Sequence, residues 1–66
     1  MVDYCIMGTV ALLFDGYKCS KQFPTFYLDS QVQGIVSVEH AVKIARDILN
    51  PHNLANIEVN ATAVRL

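Results

Sequence analysis

Two cysteines and two histidines, Cys5, Cys19, His40 and His52, are the residues best suited to hold a metal. A structural zinc site usually draws two ligands from one turn, as Cys-x2–4-Cys or His-x3–5-His. Neither spacing occurs here, so two buried thiols and two surface histidines are the plainer reading. A Cys–His nucleophilic pair would need proximity that no motif in the chain announces. The thiols fall in expected strands, where a buried Cys is inert.

The carboxylates Asp3, Asp15, Asp29, Glu39, Asp47 and Glu58 are scattered. Asp15 belongs to a turn and Glu39 to a helix start; Asp29 has no evident role beyond capping a loop. No glycine-rich phosphate loop exists. The lone Gly34 before Ser37 is a weak anion signal that an ordinary helix cap explains. These absences point away from an enzyme, and no cofactor is expected.

Aromatics and lysines give a second chemistry. Tyr17 and Tyr27 accompany Lys18 and Lys21, with Phe23 and Phe26 between them. Aromatics on a sheet flanked by cations can stack bases. The counts oppose this reading. Lys and Arg number 5 against 6 Asp and Glu, a net charge of −1, and nucleic-acid binders usually carry a basic excess. A nucleic-acid module is therefore the alternative.

The elements that must position these residues follow from periodicity. Val2 to Phe14 reads as a strand apolar on both parities, as a central strand covered twice would be. Asp15-Gly16 between Phe14 and Tyr17 is a strong hairpin signal, because a type I′ turn needs positive φ at both central positions. A two-residue turn sets Phe14 against Tyr17, Leu12 against Cys19, Gly8 against Phe23 and Cys5 against Phe26. The two cysteines then lie on opposite faces and form no disulfide. A bulge after Gln22 would shift the distal pairs.

The second strand is expected from Tyr17 to Leu28, with Pro24 marking a sheet edge and Lys18, Lys21 and Gln22 guarding it. Asp29 to Val36 connects to a helix over Val38–Leu49, capped by Ser37 and ended by Asn50-Pro51. Val38, Ala41, Val42, Ala45, Ile48 and Leu49 form its apolar stripe. Ile57 to Leu66 alternates as a last strand with one wet face.

The expected fold is a single α+β domain over residues 1–66, β-β-α-β. Its three-stranded antiparallel sheet has order 2-1-3, with one helix on one face. That helix leaves the second face uncovered, and the register assigns Cys5, Met7, Ala11, Leu13, Phe26 and Leu28 to it. An alternative is that the Asp29–Val36 segment folds over this face with Val32, Ile35 and Val36.

Composition sharpens the point. The chain is 53% apolar and 17% charged over 66 residues, and its mean hydropathy is +0.33. A domain of ~60 residues buries only about 60% of its unfolded surface. So apolar a chain has more surface to hide than one small core can take. It is expected to associate with itself as a homodimer or larger homo-oligomer, and to act as a non-enzymatic accessory or interaction protein on another protein. The longest charge-free N-terminal run, Tyr4 to Phe14, is too short for a membrane span. Asp3 is unlike the basic start of a signal peptide, which suits a cytoplasmic protein. So short a self-contained frame also suits a phage or mobile element, though no residue carries that expectation.

Overall fold

The computed structural model describes all 66 residues. Its central strand β1 (Tyr4–Phe14) pairs antiparallel with every other strand. These are β2 (Tyr17–Gln22), β3 (Phe26–Leu28) and β4 (Ile57–Arg65). Both β3 and β4 pair with Tyr4, Cys5 and Ile6. A strand has only two edges, so β2 and β3 follow one edge of β1 and β4 the other. The expected order stands, with the second strand broken in two.

The turn forms as its residues dictate. Asp15 and Gly16 have φ of 52° and 81°, and Phe14 faces Tyr17. The register runs through Leu12 against Cys19, and the Phe23 N–H donates to the Gly8 carbonyl at 3.2 Å. Beyond that point it slips. Ile6 faces Phe26, Cys5 faces Tyr27 and Tyr4 faces Leu28. Two steps along β1, from Gly8 to Ile6, are opposed by three steps from Phe23 to Phe26. The extra residue is a bulge, formed where Pro24 has no N–H to give the ladder.

The slip overturns part of the expected face. A one-residue shift moves every following side chain to the opposite side of the sheet. Phe26 and Leu28 therefore sit with Ile6 and Tyr4 in the core, and Tyr27 takes the place beside Cys5. The gain is apolar burial. Leu28 is 5% exposed, and Phe26 packs on the core with its ring centroid 5.8 Å from that of Phe23.

The connection holds a short helix, α1 (Ser30–Gln33), before the long helix α2 (Val38–Leu49). Asp29 caps α1, accepting from the N–H groups of Gln31 and Val32 at 2.9 and 3.3 Å. Asp3 ties α1 to the start of β1, taking the Ser30 N–H at 2.8 Å and the Ser30 hydroxyl at 2.5 Å. Gly34 ends α1 in the left-handed conformation, with φ 67°. Ser37 caps α2, its Oγ accepting from the His40 N–H at 3.0 Å.

The core lies between α2 and one face of the sheet. It joins Tyr4, Ile6, Leu28 and Ala63 to Ala41 and Ala45 of α2 and to Ile35 of the connection. Alanines on both sides of the contact let helix and sheet approach closely. Ile35 places the end of the connection on this side, while Val32 and Val36 stay exposed, so the segment does not cover the second face. Val38 and Ile48, expected in the stripe, are about half exposed.

Candidate protein-interaction surface

Length alone leaves part of the core side of the sheet bare. A 12-residue helix spans about 18 Å. An 11-residue strand spans about 37 Å. The helix α2 lies mainly over β4 and reaches β1 less, and all six residues of β2 are exposed. The hairpin thus projects as an arm, in a molecule whose extents are 41 × 19 × 15 Å.

The arm's core-side surface is apolar. Register places Val10, Leu12 and Phe14 of β1 there, beside Tyr17 and Cys19 of β2. Phe14 and Tyr17 are 71% and 77% exposed, and Leu12 is 47% exposed. Behind them lies a shallow groove of about 400 Å³, walled by Val10, Leu12, Cys19, Phe23 and Pro24 and completed by Lys21 and Gln22. This surface was not anticipated from parity. The signal was available in the mismatch between helix and strand lengths.

The opposite face is divided. At its β3 end Met7, Tyr27 and Val64 are about half exposed around the half-buried Cys5. Towards the arm the face turns polar, with Thr9, Lys18, Ser20, Gln22, Glu58, Asn60 and Thr62. Lys18 lies opposite Leu13 on one edge of β1, and Glu58 opposite Ala11 on the other. Their ion pair, 3.0 Å from Nζ to Oε1, therefore spans β1. The Asn60 side-chain amide also donates to Glu58, at 3.1 Å. The Lys18 hydrogen bond, then that of Asn60, hold the Glu58 carboxyl below its ordinary value.

Of the six residues expected on an open apolar face, Cys5, Met7, Ala11 and Leu13 are on it and Phe26 and Leu28 are not. Ala11 is 1% exposed and offers nothing to a partner. The face is a small apolar end beside a polar band. The nucleic-acid alternative fares no better as a single platform. Tyr17 and Lys21 are on the core side, whereas Lys18 and Tyr27 are on the other, with Lys18 engaged by Glu58. Nine residue steps along β1 separate the partners of Tyr17 and Tyr27, about 30 Å.

No three His, Cys, Asp or Glu residues gather as a metal site. Cys5 and Cys19 are free thiols on opposite faces, and neither is buried as expected: Cys5 is half-buried, and Cys19 is exposed because no helix covers the arm. His40 serves the fold, its Nδ1 accepting from the Val36 N–H at 3.2 Å. No helix is long and apolar enough to cross a membrane. No protein-family model, curated protein or solved structure matches the chain.

Proposed function

We propose that this chain is a small non-enzymatic interaction protein that works as a homo-oligomer and docks on another protein. The observation that carries the reading is the bare apolar side of the arm, where Phe14 and Tyr17 stand exposed next to a groove that Leu12 helps to wall. Large contiguous apolar patches on small domains mark surfaces that meet a partner. Aromatics are the residues that anchor such contacts. The unpaired thiols suit a reducing compartment, in keeping with action in the cytoplasm.

The test is sedimentation of the wild-type chain beside the double variant Phe14→Asp, Tyr17→Asp. Both positions are exposed in the single chain, so the variant should keep its helical circular dichroism. The reading requires the wild type to sediment as two chains or more and the variant as one. Equal sedimentation of the two would remove the arm as the associating surface.

A further inference from the structure

We infer that β2 is the joining edge of a dimer, pairing antiparallel with β2 of a second copy to continue the sheet across a two-fold axis. This rests on the self-association proposed above and names its occupant and register. The edge is open. The inward Phe23 N–H to Gly8 bond fixes the alternation, so odd residues of β2 bond to β1 and the backbone groups of Lys18, Ser20 and Gln22 point outward. No other strand pairs with that edge along Tyr17–Gln22.

A lysine on an edge strand ordinarily deters such pairing. Here Lys18 is turned back across β1 to Glu58, and Lys21 stands on the core side of the sheet opposite Val10, where the partner it would face is an uncharged Cys19. Antiparallel pairing centred on Ser20 overlaps the whole strand and is self-complementary. It sets Ser20 against Ser20 of the second copy, Lys18 against its Gln22, Cys19 against its Lys21, and Tyr17 against its Phe23. No like charges meet, and the aromatic pairs fall on the apolar side of the arm. A net charge of −1 per chain adds little repulsion.

The other edge is more crowded. Because α2 lies mainly over β4, a second β4 alongside would bring the α2 helices of the two copies against each other. No helix overlies β2.

The surface area points to a second copy as well. The chain exposes 4796 Å². A folded monomer of its 7.3 kDa is expected to expose about 4,200 Å². The excess of about 600 Å² per chain, taken over two copies, reaches the lower end of stable interfaces, near 1,200 Å².

Cross-linking tests the register. In a Cys5→Ala, Cys19→Ser background, Ser20→Cys should form a disulfide-linked dimer under mild oxidation. At micromolar protein it should do so on the order of a hundredfold faster than Thr62→Cys on β4, because the interface supplies an effective concentration near millimolar. Ser20→Pro removes only an outward N–H, so it should remain folded and sediment as a monomer. A wild-type dimer in which Ser20→Cys links no faster than Thr62→Cys would overturn the β2 edge and leave self-association standing. A wild type that is monomeric at every concentration would overturn both.

Discussion

Single atoms decide two features of the central strand. A Cβ built on Gly8 would stand 1.9 Å from the Asn60 carbonyl oxygen and 2.9 Å from the Ala61 Cα, and Gly8 has φ of 151°. Both obstacles are backbone, so neither can swing aside. Gly8→Ala should cost about 2 kcal/mol or more, read from urea denaturation; a cost within the ordinary surface range would show that the strands can part there. The acidic caps set the pH response. The Asp3 carboxyl is held below its ordinary value by the Ser30 hydroxyl, then the Ser30 N–H. That of Asp29 is held down by the Met1 amino group, then the Val32 and Gln31 N–H groups. A carboxyl depressed in the folded state binds protons more readily in the unfolded one. Its stabilisation is thus full above the ordinary carboxylate range and is lost as pH falls through the folded value. Stability should decline below about pH 5, and less steeply in Asp3→Asn and Asp29→Asn. Parallel declines in all three proteins would mean that these caps are not the groups titrating.

Elements were legible where one local signal dominated. Asp15-Gly16 announced the turn, Ser37 and Asn50-Pro51 bounded α2, and Pro24 marked the edge. The one-residue slip was not fixed by such a signal. Pro24 permits a bulge, but whether Phe26 turns inward depends on a core that only the folded chain assembles. The same limit hid α1, four residues held by Asp29 and by Asp3 from a distant part of the chain. Deleting Thr25 tests the bulge. It leaves two steps from Phe23 to Phe26 against the two from Gly8 to Ile6, so an unbroken ladder keeps Phe26 and Leu28 inward. The deletion should therefore cost well under the roughly 3 kcal/mol that turning Leu28 outward would cost. A loss of that size, read from urea denaturation, would mean that the bulge does not set the register. Ser37→Ala should cost about 1 kcal/mol of stability through the lost cap, measured by thermal unfolding.

At the scale of the molecule, composition foretold surplus apolar surface, and parity located only part of it. Parity put that surface on the face away from the helix, yet Lys18 and Glu58 bridge much of that face and Ala11 is buried within it. Part of the surplus stays on that face at Met7, Leu13, Tyr27 and Val64, and part lies on the core side of the arm, beyond the reach of a helix half as long as the strand it covers. Only eight of 66 residues are buried, and Ile6 is the one large side chain fully enclosed. So thin a core gives the chain reason to extend its sheet through another copy. The most direct measurement is the absolute mass by light scattering across a dilution series, run beside the Phe14→Asp, Tyr17→Asp variant. The wild type should hold at least twice its 7.3 kDa chain mass on dilution while the variant shows one. A wild type of single-chain mass at every concentration would contradict the account.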